Sequence, residues 1–358
     1  MVATARAANQ DPLSAARALA RELLAAAPIP ALSFAVMRGT ALLWAEAFGK
    51  VDLELDTAAT AAHRFRLGSV SKVVTATLAA QLTVRGVVDL DAPIATYMPD
   101  LPPQHLATTL RQLLTHRGGV RHYAEKDWSP GVPGPIDQRR YAGNADILAV
   151  FISDPLIAKP GERVSYSTFG YTLASLVLEA ASNLPFLDLV QREIAGPLGL
   201  PSLGPDDSVA VVPDRVRGYH PGDAIRKTFP GYAGKWANTV IANVNYKWAG
   251  GGLLATPTDL ARFGAAHLAP GKLHKKALDT LFTVHTERTE RSPPLGLGWR
   301  IDEDDAGRLR WHHAGGQDGV RASLVVYPKQ KLSIALAANT GAPGDVNGPS
   351  AKLANIFA

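Results

Sequence analysis

The most informative segment of the chain reads Arg66-Leu67-Gly68-Ser69-Val70-Ser71-Lys72, and an apolar run follows it. The apolar spacing from Val73 to Leu82 predicts a helix over residues 69–85, which Ser69 would open. Lys72 is three residues further on and is therefore expected on the same face as Ser69. The segment thus places a serine and a lysine together at the start of a predicted helix.

This placement has two chemical consequences. The backbone N–H groups and the positive end of the helix dipole point at a serine in the first turn, which suits a developing oxyanion. A lysine among Val73, Val74 and other aliphatic residues loses hydration, so its pKa should fall and it could act as a base. The alternative is structural, with Ser69 as an N-cap and Lys72 as a surface residue with an apolar stem. A chain of this length contains the Ser-x-x-Lys spacing about once by chance, so the motif alone leaves both interpretations open.

The composition limits the class of protein. The chain has 358 residues, of which 46% are hydrophobic and 19% charged, and this predicts a soluble globular protein of one large domain or two interleaved ones. No apolar stretch reaches the roughly 18 residues of a membrane span. The net charge is +5 without any run of five like charges, which argues against a nucleic-acid partner. Cysteine is absent, which excludes disulfides, Cys-ligated metal sites and cysteine nucleophiles.

The first thirty residues predict a surface helix. Apolar positions recur at helical spacing over residues 12–27, with Asp11 and Pro12 as the cap and first-turn residues. Charged residues interrupt these apolar positions, so no secretory hydrophobic segment is visible; they are Arg17, Arg21 and Glu22. The sequence leaves two alternatives for the cellular compartment. The protein is exported or periplasmic in a bacterium if a leader was removed, and cytoplasmic otherwise.

Strand patterns cluster at the two ends of the chain, and helical patterns fill the middle. The predicted strands are Ala31–Met37, Ala41–Phe48, Leu309–His313, Val320–Tyr327 and Leu332–Ala338, followed by a short helix near Ser350–Ile356. Helical spacing covers residues 69–85, 144–152, 167–182, 185–195 and 257–268, with irregular segments at Trp128–Pro135 and over 201–250. The pattern predicts an α+β protein. In this prediction, residues 1–68 and 255–358 form one antiparallel sheet flanked by helices. Residues 69–254 form a mainly helical domain inserted between these two parts, and Ser69 lies at the junction.

Two further segments could complete a serine site. The sequence contains no G-x-S-x-G elbow, no H-E-x-x-H, no P-loop and no dinucleotide-binding fingerprint. Tyr166 precedes a predicted helix and looks exposed, and residues 311–316 end a strand with two glycines, which allow close approach of the backbone to a ligand. Strand alternation puts His313 on the same face as Trp311. Each segment has a structural alternative, with Tyr166 as an aromatic beside a helix cap and His313 as a hydrogen-bonded, half-buried histidine.

Together these segments resemble the serine β-lactamase and penicillin-binding family. The similarity is to its class C-like branch, with family VIII esterases, D-amino-acid peptidases and the mitochondrial β-lactamase-like protein, and it covers nearly the whole chain. Beyond the Ser-x-x-Lys motif, it rests on Leu113–Val120, Tyr166–Tyr171, Pro197–Leu200, Trp248–Gly252, Gly296–Trp299 and His313–Gly315. The segments that look closest to the mitochondrial protein and its bacterial relatives are Arg121–Tyr123, Tyr166–Tyr171 and Tyr246–Gly252.

The resemblance implies a penicillin-binding (transpeptidase-like) fold and a serine hydrolase that acts through an acyl-enzyme on small esters or peptide-like amides, without a metal or cofactor. Ser69 is the implied nucleophile, and Lys72 and Tyr166 share proton transfer, with the choice of base left open. The N–H groups of Ser69 and Gly316 are the implied oxyanion hole. His313 takes the place of a lysine found in many relatives. Residues expected at the substrate are Tyr123, Thr168, Gly315 and Gly316.

Two departures from the family pattern bear on the substrate. Thr168 stands where relatives usually carry the Asn that contacts the amide side chain of a β-lactam. His313, mainly neutral near pH 7, replaces a cation that recognises a carboxylate. Both predict a preference for esters or peptides over β-lactams. The alternatives are a β-lactamase or penicillin-binding D,D-peptidase, and a self-assembling structural protein, hence a homo-oligomer, with residual hydrolase activity.

Overall fold

The computed structural model describes residues 11–129, 134–290, 292–342 and 344–358. Part of the predicted irregular segment Trp128–Pro135, residues 130–133, lies outside these described residues. Helix α1 (Pro12–Ala26) begins as predicted, because the Asp11 carboxylate accepts hydrogen bonds from the N–H groups of Leu13 and Ser14. These contacts satisfy donors that the first turn of a helix leaves without a partner.

The main sheet is built from the two ends of the chain, as predicted. Its strands are β1 (Ala31–Arg38), β2 (Ala41–Asp52), β3 (Thr57–Ala58), β9 (Arg300–Glu303), β10 (Leu309–Gln317), β11 (Val320–Tyr327) and β12 (Leu332–Ala338). They pair in the order β3-β2-β1-β12-β11-β10-β9, and every pair is antiparallel. Shorter strands outside this sheet are β4 (Phe65–Arg66), β5 (Gly204–Pro205), β6 (Tyr219–Pro221), β7 (Trp236–Asn238) and β8 (Leu253–Ala255).

Helices cover both faces of the sheet. On one face, α1 and the C-terminal helix α13 (Gly348–Phe357) pack against strand side chains such as Phe34 and Ile334. On the other face lies the larger core with the remaining helices. These are α2 (Ser71–Val84), α3 (Pro103–Leu106), α4 (Leu110–Leu114), α5 (Asn144–Ala149), α6 (Thr168–Ser182), α7 (Phe186–Val190), α8 (Gly196–Leu198), α9 (Gly222–Arg226), α10 (Trp248–Gly251), α11 (Pro257–Ala266) and α12 (Lys275–Phe282), with α13 at Gly348–Phe357. The α+β class is confirmed, whereas the division into two domains stays a prediction.

Several predicted bounds are wrong in detail. β10 continues to Gln317 instead of ending at His313, because Gly315 and Gly316 stay in register with Ala322 and Arg321 of β11. Ser69 does not open α2 but lies in a 3₁₀ turn, Gly68–Val70, directly before it. The helix predicted over 185–195 changes after α7 into a π-helical turn, Gln191–Ala195. Those predicted over 144–152 and 257–268 end earlier, at Ala149 and Ala266.

No helix of the described residues is by itself long and apolar enough to cross a membrane. One bent pair, Thr168–Ser182 with Phe186–Leu198, meets the length and composition requirement only when both members are taken together.

Candidate active site

The Ser69 turn packs against the end of β10, and two glycines make this approach feasible. Gly68 has a φ of +50°, and a Cβ atom there would lie 2.8 Å from the Gly316 nitrogen. A Cβ atom on Gly315 would lie 1.9 Å from the Leu67 oxygen and 3.0 Å from the Ser69 nitrogen. Any side chain at these positions would push turn and strand apart. The fold therefore brings the Ser69 N–H beside the glycine-rich end of β10, where the sequence predicts the oxyanion hole.

Lys72 is completely buried and points its amine at Ser69. The Lys72 Nζ donates to Ser69 Oγ at 3.2 Å, to Thr168 Oγ1 at 3.2 Å and to the Gly250 carbonyl at 2.5 Å. In the described part of the chain these partners are all neutral oxygens, and no carboxylate pairs with the amine. Burial, assisted by the positive charge of Arg300, holds the pKa of Lys72 well below its ordinary value. The neutral amine is the form able to accept a proton.

Tyr166 covers the same amine from the other side. The Lys72 Nζ lies 4.7 Å from the centre of the Tyr166 ring. Tyr166 is half-buried, so the prediction that it is exposed is wrong. The centre of its ring lies 4.3 Å from that of His116, with the two ring planes tilted by 35°. Burial raises the pKa of Tyr166 to about 12, although the Ser69 hydroxyl and the Arg300 charge oppose the rise. Tyr166 thus carries its proton at neutral pH.

Two histidines that sequence reasoning did not single out fix the backbone at Tyr166. The Ser167 N–H donates to His116 Nδ1 at 3.1 Å, and the Thr168 N–H donates to His122 Nδ1 at 3.2 Å. Burial keeps the pKa of both rings below the ordinary histidine value, so Nδ1 is free to accept. Both histidines lie within segments on which the family resemblance rests, Leu113–Val120 and Arg121–Tyr123. Their position beside Tyr166 depends on contacts between segments far apart in the chain.

His313 is a buried, neutral histidine at the edge of the site. Its Nδ1 lies 2.7 Å from the Ala314 carbonyl oxygen, which can only accept, so Nδ1 carries the proton and Nε2 is the acceptor. Burial is the main cause that holds the pKa of His313 well below its ordinary value. Its ring centre is 6.5 Å from that of Tyr166. In this protonation state His313 supplies no cation.

Two clefts reach the candidate site, one lined by Tyr166 and the other by Gly316. The Tyr166 cleft, of about 630 Å³, is lined by residues that include His116, Arg163, Tyr166, Glu290, Arg300 and His313. The Lys247 cleft, of about 550 Å³, is lined by residues that include Arg66, Tyr123, Trp128, Asp137, Lys247 and Gly316. Tyr123 and Gly316 therefore line one cleft and His313 lines the other. Thr168 is buried against Lys72, and its expected role at the substrate stays a prediction.

The arrangement is suited to nucleophilic chemistry. A hydroxyl lies within hydrogen-bond reach of a buried amine that favours its neutral form, and a protonated phenol lies beside both. Among residues 11–129, 134–290, 292–342 and 344–358, no three His, Asp or Glu side chains converge as ligands for a metal ion. The metal- and cofactor-free mechanism stays a prediction.

Comparison with known proteins identifies the family. The family model described as beta-lactamase matches residues 16–355. The chain belongs to the beta-lactamase family. A mouse relative, the mitochondrial serine beta-lactamase-like protein LACTB, is 26% identical over 80% of this chain, which spans 67% of that relative. Esterase EstB of Burkholderia gladioli is 27% identical over 88% of this chain and 86% of its own length.

A solved structure with the same fold is that of a D-stereospecific amidohydrolase from Streptomyces sp., with a TM-score of 0.77 and 25% identity. It covers 97% of this chain and 98% of its own. The predicted family and its penicillin-binding type of fold are confirmed. The prediction of a serine hydrolase is confirmed at the level of the family. The chain spans about two thirds of the length of the mitochondrial relatives that it matches.

Proposed function

We propose that this member of the beta-lactamase family is a serine hydrolase that forms an acyl-enzyme on Ser69 with small esters or peptide-like amides. The observation that carries the proposal is the 3.2 Å contact between Ser69 Oγ and the Lys72 amine, which is buried and has no carboxylate partner among the described residues. A structural lysine on a helix of this kind would reach solvent or pair with an acid.

We assign Lys72 as the base of acylation. The neutral Lys72 amine takes the proton of Ser69 Oγ as this oxygen bonds to the substrate carbonyl carbon, and the carbonyl oxygen becomes the oxyanion. The N–H groups of Ser69 and Gly316 would stabilise that negative charge. Tyr166 is the less suitable base, because its pKa of about 12 keeps it protonated near neutral pH.

Tyr166 is better suited to give a proton than to take one. As the tetrahedral intermediate collapses, the bond to the leaving group breaks, and Tyr166 can donate its proton to the departing oxygen or nitrogen while Lys72 returns the proton taken from Ser69 to the phenol. A general acid must lie on the leaving-group side of the scissile bond. The Tyr166 cleft is therefore the leaving-group side, and the Lys247 cleft is the acyl side. Water then attacks the acyl carbon while the neutral Lys72 accepts a proton from it. The bond between the acyl carbon and Ser69 Oγ breaks, Lys72 returns the proton to Oγ, and the acid product leaves.

Relatives support the substrate class. EstB is an esterase by name, and the Streptomyces relative is an amidohydrolase by name. The chain itself offers no fixed cation at His313, and Thr168 is occupied by the Lys72 amine. Uncharged short-chain esters require neither residue and have good leaving groups.

Labelling with a fluorophosphonate tests the nucleophile. We expect one label per chain, on the peptide that contains Ser69, and none in Ser69→Ala. Ser71→Ala is the matched control, because the Ser71 hydroxyl, two residues away, accepts a hydrogen bond from the Leu253 N–H, whereas the Lys72 amine donates to Ser69. Ser71→Ala should keep the label. Labelling that persists in Ser69→Ala would contradict the assignment.

A hydrolysis screen over p-nitrophenyl esters, D- and L-aminoacyl anilides and nitrocefin tests the substrate class. We expect p-nitrophenyl acetate or butyrate to exceed nitrocefin in kcat/KM by at least about 10-fold. This is the factor expected when nitrocefin lacks one charge-assisted contact, because the neutral His313 gives none to its carboxylate. Thr168→Asn combined with His313→Lys should narrow the difference. If nitrocefin is the fastest substrate, the β-lactamase alternative replaces the ester preference.

A homo-oligomer stays a prediction, to be checked by size-exclusion chromatography.

A further inference from the structure

A third depression, the Val211 groove, adjoins the Lys247 cleft and has mostly aliphatic walls. Its volume is about 550 Å³. The apolar residues that line it are Val209, Ala210, Val211, Val212, Val216 and Ile241. Val209, Val211 and Ile241 are 64%, 95% and 60% exposed. Because exposed aliphatic side chains that lie side by side are typical of binding surfaces, this groove is a candidate site for an apolar group.

The Val211 groove is continuous with the Lys247 cleft. Arg66 lines both of them. Val240 lines the cleft, and its neighbour Ile241 lines the groove. At its other end the cleft reaches Gly316, which lies against the turn that carries Ser69. A substrate whose acyl part fills the cleft therefore enters the groove as soon as this part is long enough.

The charged side chains of the Val211 groove are already paired. Arg66 and Arg215 both contact Asp206, at 2.6 Å and 3.3 Å. Arg217 contacts Asp52 at 2.9 Å. The residues of the described chain that line the groove include no acid. The group that occupies the groove is therefore expected to be uncharged.

Free backbone groups favour a peptide over a hydrocarbon chain as the occupant. In the part of the chain that the structure describes, Val211, Val212 and residues 240–242 have no backbone hydrogen-bond partner. An extended peptide can bond to such groups through its own N–H and C=O groups while its side chains enter apolar pockets. Closer to Ser69, Lys247 can donate to a peptide carbonyl and Asp137 can accept from a peptide N–H.

We propose that the Val211 groove binds an apolar, extended peptide segment on the acyl side of the scissile amide. This inference rests on the proposed hydrolase function, which makes the Lys247 cleft the acyl side. The residue that contributes the scissile carbonyl occupies the Lys247 cleft, and the residues that precede it in the substrate occupy the groove. The preferred substrates are therefore oligopeptides with aliphatic residues before the bond that is broken.

Two p-nitroanilides of equal length test the inference: those of acetyl-valyl-valyl-alanine and acetyl-seryl-seryl-alanine, each made with D- and with L-alanine. We expect the valine peptide to exceed the serine peptide by at least about 10-fold in kcat/KM, mainly through KM. Val211→Asp and Ile241→Asp should each bring this ratio to within about threefold of one. Leu42→Asp is the matched control and should keep the ratio, because Leu42 is an exposed aliphatic residue of β2 that lines neither the cleft nor the groove.

A binding measurement makes the test independent of turnover. Calorimetry with the Ser69→Ala variant should show that acetyl-valyl-valyl-alaninamide binds at least about 10-fold more tightly than its serine counterpart. Val211→Asp in the same background should remove the difference. Equal binding of the two amides, or a difference that survives both groove variants, would overturn the inference.

Other occupants of the groove would also overturn it, and each gives a distinct result. A fatty acyl chain would give a preference for p-nitrophenyl decanoate over the butyrate that Val211→Asp removes, without any preference between the peptides. A second copy of the chain would give an oligomer in size-exclusion chromatography that Val211→Asp dissociates, without binding of the valine peptide. Failure of the hydrolase function itself looks different, because the wild-type protein would then not be labelled at Ser69 and would not hydrolyse p-nitrophenyl butyrate.

Discussion

Two buried basic residues, Arg66 and Lys72, lie six residues apart and have opposite kinds of partner: a carboxylate for Arg66 and neutral oxygens for Lys72. Arg66 is 5% exposed and donates from Nε to Asp206 at 2.6 Å; Asp206 also accepts from Arg215 at 3.3 Å. Lys72 is 0% exposed and has only neutral oxygens around its amine in the described chain. A paired buried charge supports the structure, whereas an unpaired one loses its proton easily. The absence of a carboxylate beside Lys72 is what suits it to act as a base.

The largest expected effect is that of Lys72→Arg. Arginine stays protonated at any accessible pH, so the variant cannot take the Ser69 proton. We expect kcat to fall by about 10³-fold or more, measured with p-nitrophenyl butyrate. A thermal melt of the same sample separates this loss from unfolding. Near wild-type acylation in a folded Lys72→Arg protein would show that Lys72 does not carry the proton.

Asp206→Asn tests the other member of the comparison. It leaves Arg66 buried without its carboxylate, and we expect the free energy of unfolding to fall by roughly 3 kcal/mol. Urea denaturation measures this change. The activity of the protein that remains folded should stay within about 10-fold of wild type, because Asp206 does not touch Ser69, Lys72 or Tyr166. A loss of turnover as large as that of Lys72→Arg, without loss of stability, would break the distinction between the two cations.

Lys72→Met should have the opposite effects to Asp206→Asn: it should stabilise the protein and abolish its activity. Removing an unpaired buried amine is expected to raise the free energy of unfolding by about 1 kcal/mol near pH 7. The folded-state pKa of Lys72 lies below its unfolded value, so unfolding takes up a proton between the two, and wild-type stability rises with pH over that window. The advantage of Lys72→Met should therefore shrink toward pH 10. A variant less stable than wild type at every pH would contradict this account of Lys72.

The sequence was sufficient for the local features and insufficient for the long-range ones. Strand spacing predicted five of the seven strands of the main sheet and missed the short strands β3 and β9. The Ser-x-x-Lys spacing predicted the contact between Ser69 and Lys72, because residues three apart share a helix face. Arg300 was missed because the short strand that it begins, β9, was not among the predicted strands. Its place in the site depends on the pairing of β9 with β10, and single-sequence patterns do not encode that register.

The pH dependence of Ser69 acylation tests most directly whether Lys72 acts as a neutral base. The measurement is the rate of fluorophosphonate labelling of the wild-type protein in stopped-flow experiments from pH 5 to 10, with denaturation checked at each pH. The account predicts that the rate rises with pH as Lys72 loses its proton and reaches a plateau well below pH 10, since burial lowers the pKa of this amine. A rate that continues to rise through pH 10, as for an ordinary lysine or for Tyr166, or that does not change with pH, would contradict it.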